Sequence, residues 1–300
     1  MKTIKFFLYF LVMSMTLTLV TSCDPEEELP PIGGYNNADE VGSASLIAYW
    51  PLNGDGKESK SSTAPSNSKN VEWVTGIKGK AAKFTNGFLD YPSIAALANM
   101  TGSLTVSCWG LVNNTRPTPG ADSHISPLFS MAGGPNVNIG NLSIFGNTHE
   151  LVTSDSIQMK AEYHFKNADG NAFNGDCVNM IRKESWMDAT HNWAANKIGG
   201  KLAHIVWVWD GNTATTRLYV NGVKISNGAW ESRNDNKATP FAFFTPTHPI
   251  IGATASIADG TNVEKWNSAL TGQVDEVRVW NKLLSAADIN SLYELEKAGR

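Results

Sequence analysis

The chain has 300 residues, 24 Lys and Arg against 28 Asp and Glu, and a net charge of -4. No basic stretch stands out, which excludes the electrostatic footprint of a nucleic-acid-binding protein. Only 17% of residues are charged, while Gly (26), Trp (10) and Asn are frequent. That mixture suits strands and turns and leaves little material for long solvated helices.

Lys2 and Lys5 precede an uncharged, mostly apolar run from Phe6 to Val20, which small residues and Cys23 close. This is the layout of an export signal, and the run is shorter than the ~18 apolar residues a membrane span needs. Val20-Thr21-Ser22-Cys23 resembles a bacterial lipobox, which implies cleavage before Cys23 and a lipid anchor on its thiol, seated in the lipid bilayer. The acidic run Asp24-Pro25-Glu26-Glu27-Glu28 resembles the surface-export signal of Bacteroidetes lipoproteins. The expected location is therefore the outer membrane, facing outward. The expected segments are a signal peptide (1–22), an acidic, Pro- and Gly-rich tether (23–44) and one domain (45–300) with a long insert around 168–200.

From Leu46 the pattern changes. Leu46 to Trp50 reads as a strand, ended by the turn residues Asn53-Gly54-Asp55-Gly56. Leu104 to Trp109 alternates with period two: Leu104, Val106 and Cys108 share one face, and Thr105, Ser107 and Trp109 the other. Ile205 to Trp209 is apolar on both faces, as in a strand covered on both sides. Asn221-Gly222 between two β-rich runs predicts a two-residue hairpin with Val220 opposite Val223. Val274 to Trp280 is the last strand. Ser285 with Asp288 then forms a capping-box variant ahead of Ile289, Leu292 and Leu295 at helical spacing. Glu294 and Glu296 on that helix are expected in solvent. Cys108 and Cys177 suit either a disulfide or two small buried hydrophobes.

Taken in order, 46–56, 76–84, 103–109, 201–211, 217–225, 249–253 and 272–293 resemble the LamG-like jelly roll of the concanavalin A-like lectin/glucanase superfamily. The resemblance implies an all-β fold: a two-sheet antiparallel jelly-roll sandwich with one short C-terminal helix. It also implies carbohydrate binding, with a poly- or oligosaccharide as partner. Two features depart from the family pattern. Leu202-Ala203-His204 stands where a Trp-His pair is common, and the stretch between Ser126 and Leu202 is long. Loops of that kind carry function on rigid scaffolds.

Glucanases on this fold carry alternating acids of the form Glu-x-Asp on one strand, and retaining hydrolysis needs two carboxylates about 5 Å apart. No Glu-x-Asp occurs in this sequence, and the adjacent Asp275 and Glu276 point to opposite faces of a strand. The expectation is therefore a protein that is not an enzyme. The alternatives are a protein-binding adhesion module, an atypical glycoside hydrolase, or a polysaccharide lyase, whose chemistry Tyr163-His164-Phe165-Lys166 faintly resembles. The resemblance also implies a structural calcium near Asp275, with Asn53 and Asp55 as further oxygen ligands. Trp50, Trp207, Trp209 and Trp280 are assigned to packing. Trp109, Trp186, Trp193, Arg182, His191 and Asn192 are the candidate glycan-binding residues, because sugar sites combine flat apolar faces with a few oriented polar groups. The expected role is capture of glycans at the cell surface, within an outer-membrane uptake complex.

Overall fold

Apolar–polar alternation builds this protein strand by strand. The computed structural model describes residues 29–148, 151–152 and 154–300, and its compact folded unit is Pro31–Arg300. The signal peptide, Cys23 and residues 24–28 lie outside the described residues. The strands are β1 (Leu46–Trp50), β2 (Asn67–Thr75), β3 (Lys80–Asp90), β4 (Thr101–Gly102), β5 (Leu104–Val112), β6 (Ile125–Met131), β7 (Leu142–Asn147), β8 (Gln158–Lys166), β9 (Ala172–Val178), β10 (Leu202–Asp210), β11 (Thr215–Val220), β12 (Val223–Lys224), β13 (Phe241–Ala242), β14 (Pro249–Ile251) and β15 (Leu270–Trp280). A closing helix spans Ala286–Lys297.

Thirteen strands form one curled antiparallel sheet in the order β12-β11-β10-β5-β15-β3-β14-β6-β7-β8-β9, with β1 added on β15 and β2 on β3. The two layers of the expected jelly roll are thus halves of one continuous sheet. Strand β3 makes the passage, pairing with β15 over Ala82–Gly87 and with β14 at Leu89 and Asp90.

Strand β8 shows how the halves are glued. Met159, Ala161, Tyr163 and Phe165 are fully buried, while the residues between them face outward. Tyr163 stacks on Trp207 of the opposite layer at 6.0 Å, and Phe165 meets Trp209 edge-on at 5.0 Å. Each such side chain contributes roughly 1.5–3 kcal/mol through burial, and each aromatic pair about 0.5–1.5 kcal/mol more. Trp50, Trp207, Trp209 and Trp280 are all fully buried, as their assignment to packing requires. Asn221 and Gly222 both take positive φ (50° and 77°), the geometry of the predicted two-residue hairpin, and Val220 pairs with Val223. Cys108 and Cys177 are buried free thiols, which leaves them as small hydrophobes.

The closing helix begins with the predicted capping box, Ser285 and Asp288 each bonding the other's backbone N–H. Its Ile289, Leu292 and Leu295 pack on the outer face of β10 and β15 with Val206, Val208 and Trp280. Three expectations change here. First, residues 32–44 are not a tether. Ala38 and Val41 are buried in that same cluster, Tyr35 donates to Asp288 at 2.7 Å, and Asp39 pairs with Arg278. Two apolar residues in a Gly-rich run suffice to seat it under the helix. Second, Glu296 is fully buried, although Glu294 stays outside. Third, the outer face of β5 is covered by this helix rather than open.

Beneath the helix lies a charged network. The Arg278 guanidinium donates to Glu296 at 3.0 Å, Glu276 at 2.7 Å and Asp39 at 2.7 Å, and it sits 3.9 Å over the Tyr49 ring. A bulge in β15 between Asp275 and Arg278, with Glu276 at φ 47°, turns both charged side chains to this side.

Candidate functional site: the insert and its tryptophans

The insert starts as a strand. Residues 172–178 form β9, which pairs with β8 along its whole length. Only 179–201 is irregular, and side-chain amides fix it at both ends. Asn179 is fully buried; its Oδ1 accepts from Met159 N–H at 2.7 Å and its Nδ2 donates to the Ala194 carbonyl at 2.8 Å. Asn192 donates to the Ser226 carbonyl at 2.7 Å and accepts from Gly228 N–H at 2.6 Å. That second clip holds the insert against the short 3-10 turn Gly228–Trp230.

The clip brings Trp230 beside Trp186. Their rings lie 6.2 Å apart and 21° from parallel. His191 closes the cluster edge-on, 5.1 Å from Trp186 and 6.1 Å from Trp230. The His191 ring is oriented by Asp188, 2.9 Å from Nδ1. Hydrogen bonds from Thr190, and then from His191, hold the Asp188 carboxyl well below the usual carboxylate range. Trp186 nonetheless remains 55% exposed. A large indole that is held in place and still faces water is the pattern of a stacking surface, not of a core residue.

The six candidate residues divide. Trp186 and His191 form the platform. Asn192 is its clip rather than a ligand contact. Arg182 pairs with Glu184 at 2.7 Å at the turn that leads into Trp186. Trp193 is half exposed beside its bridge to Met180, and among the described residues its ring does not join the pair. Trp109 is removed from the ligand surface. It is buried, its indole donates to Glu296 at 2.7 Å, and it stacks on Tyr293 of the closing helix. The residue missed by sequence is Trp230, whose partner lies 44 positions earlier.

Asp275 Oδ2 accepts from Ile77 N–H at 2.8 Å and Oδ1 from Glu276 N–H at 3.0 Å. Burial pushes its carboxyl up to about 7. Asn53 accepts from Lys80 N–H at 3.0 Å, and Asp55 caps its own turn at Lys57 N–H, 3.0 Å. A carboxylate offers about four lone-pair sites, so Asp275 retains acceptor capacity for a hard cation. Asn53 and Asp55 are engaged in their own loops. Among the described residues no three His, Cys, Asp or Glu side chains gather as a metal cluster, and no helix is long and apolar enough to cross a membrane.

A family profile described as the concanavalin A-like lectin/glucanases superfamily matches residues 84–290. No curated protein matches the sequence. Among solved structures, domain 4 of a GH43 extracellular arabinanase from Geobacillus stearothermophilus, in complex with arabinotriose, is 14% identical, with a TM-score of 0.48 over 83% of this chain and 98% of that one. Trypanosoma rangeli sialidase, as a covalent intermediate with difluorosialic acid, is 16% identical, with a TM-score of 0.48 over 84% of this chain and 33% of that one. This chain therefore matches about a third of the sialidase. A SAP-like pentraxin from Limulus polyphemus is 14% identical, with a TM-score of 0.41 over 64% of this chain and 70% of that one. These likenesses concern the fold. The expectation of a protein that is not an enzyme does not stand: the missing Glu-x-Asp pattern excludes one arrangement of catalytic acids and not catalysis as such.

Proposed function

The chain belongs to the concanavalin A-like lectin/glucanases superfamily, and on that premise we propose that it captures poly- or oligosaccharides on a platform built by its insert. The observation that carries this reading is the near-parallel pair of exposed Trp186 and half-buried Trp230, held by the Asn192 clip with His191 at its edge. Flat apolar surface with an oriented polar group is what a pyranose ring requires. Preorganisation adds affinity, because little side-chain freedom is lost on binding.

The experiment is retention of the full chain on insoluble polysaccharides. Retention is expected, and Trp186→Ala with Trp230→Ala should weaken it strongly. A wild-type chain that passes through every polysaccharide unretained, or retention untouched by the double substitution, overturns the platform.

The location belongs to the same proposal: export, lipidation at Cys23, and display at the outer-membrane surface beside an uptake complex. The lipobox-like Val20 to Cys23 and the acidic run after it support this. Radiolabelled palmitate should enter the wild-type chain and not Cys23→Ala; equal labelling rejects the anchor. A calcium ion at Asp275 is proposed on its spare acceptor sites and its buried, raised carboxyl. Calcium should then raise the melting temperature relative to chelator, and Asp275→Asn should remove that difference. Identical melting with and without calcium leaves Asp275 as a turn clip.

A further inference from the structure

The outward face of β8 carries Gln158, Lys160, Glu162 and His164 in strict alternation with buried residues. These four are not scattered polar residues. Lys160 Nζ lies 3.0 Å from Glu162 and 3.2 Å from Asp176 on the neighbouring β9. Glu162 and Asp176 are direct cross-strand partners. Arg233 reaches Asp176 from the far side at 3.2 Å. His164 Nε2 lies 3.2 Å from Glu162 and 2.9 Å from the Asn136 amide. Burial disfavours the Lys160 ammonium, but Glu162 and Asp176 outweigh it and hold its pKa above the ordinary value.

Two cavities meet on this row. One, of about 370 Å³, runs from Trp266 and Phe145 past Asn136 to Lys160 and Glu162. The other, of about 360 Å³, continues over the same Lys160 and Glu162 to His164, Asn174 and Asp176. Each is the size of a small-ligand pocket, about 300–1,000 Å³. Trp266 forms the apolar end, packed on Ile125, Ile139 and Phe145.

We infer that this cleft is a second binding site, for a neutral oligosaccharide lying along β8 with one ring against Trp266. Lys160 inside the cleft and Arg233 behind Asp176 balance the two carboxylates, so the cleft offers little net attraction to a charged ligand. Their pairing fixes N–H donors and carboxylate acceptors side by side, which is the complement of vicinal hydroxyls. The apolar wall at one end suits the C–H face of a ring. The floor is rigid, because the inward residues of β8 are locked into the aromatic core. The cleft shares the ligand class of the Trp186–Trp230 platform and none of its residues.

The test is calorimetric titration of the full chain with neutral xylo-, cello-, manno- and arabino-oligosaccharides, and with an oligogalacturonate as the charged control. Saturable binding of one neutral series is expected. It should weaken about tenfold in Trp266→Ala, the loss of one ring contact, and several-fold in Glu162→Gln, which keeps the side-chain shape. Trp186→Ala should leave it unchanged. No binding of any neutral oligosaccharide, tighter binding of the uronate, or binding unaffected by Glu162→Gln and Trp266→Ala overturns the cleft. Loss of polysaccharide retention in the Trp186 and Trp230 variants reports on the platform alone, so either site can fail without the other.

Discussion

The two outer faces of the sandwich carry the same device in opposite settings. Under the closing helix, Arg278 holds Glu276 and Glu296 with no exposure of any of the three beyond 2%. On the open face, Lys160 holds Glu162 and Asp176 with about a quarter of its side chain in solvent. A cation between two carboxylates is a structural clamp where water is excluded and an addressable polar surface where it is not. The closing helix, with residues 32–44 beneath it, is what makes the difference.

The largest expected effect tests the covered side. Arg278→Met strips the cation from the buried carboxyl groups of Glu276 and Glu296, and breaking such a buried pair costs about 3–5 kcal/mol. For a chain of this size the melting temperature should fall by on the order of 10 °C. Lys160→Met on the open face should cost less than about 1 kcal/mol, because solvent already screens the pair. Calorimetric melting of both variants decides it, and equal losses would erase the distinction between the faces.

Much of this architecture is legible in the sequence, for reasons that differ by residue. Period two places Leu104, Val106 and Cys108 inside, and local chemistry fixes both the Asn221-Gly222 turn and the Ser285 capping box. Those signals span a few residues. What is not legible depends on distant partners. Glu296 looks like a solvated helix residue until Arg278 arrives from β15. Ala38 and Val41 look like tether until the helix lies over them. Trp109 has the predicted face, but only the tertiary fold shows that Tyr293 covers it. Trp186 and His191 stand out as aromatic and polar residues in a long insert, whereas Trp230 belongs to the site through a loop-to-loop clip. The β8 row carried a usable signal, the alternation from Gln158 to His164, which reading Tyr163 to Lys166 as one block obscured.

The covered face should also make stability depend on pH. Burial pushes the Glu296 carboxyl above its ordinary range, with Arg278 pulling down against it and Glu276 adding to the rise. A folded-state pKa above the ordinary 4.5 gives stability that is complete below 4.5 and is lost as pH rises toward 8. Burial, and then Arg278, pull His204 down to about 3; its contribution is present above 6.5 and is lost as pH falls. The two oppose each other between 4.5 and 6.5. Above 6.5 the loss from Glu296 adds to that from Asp275, whose carboxyl burial raises to about 7. The melting temperature should therefore decline from pH 6.5 to 8, and Glu296→Gln should flatten the decline. A wild-type curve that rises over this range would show Glu296 to be ionised in the folded protein.

The smallest effect on stability is the most informative about function. Asn192→Ala removes two hydrogen bonds at the insert's outer clip, each contributing about 1 kcal/mol or less at a partly exposed position. The core beneath β8 and β10 does not involve it, so melting should shift by only a few degrees. Retention on polysaccharide should fall far more, because Trp186 and Trp230 would no longer be held parallel and binding would have to order them. The cleft along β8 should bind its oligosaccharide as before. If retention is unchanged in Asn192→Ala while Trp186→Ala weakens it, the indole matters and its preorganisation does not. Both tryptophans would then act as separate contacts rather than as one platform.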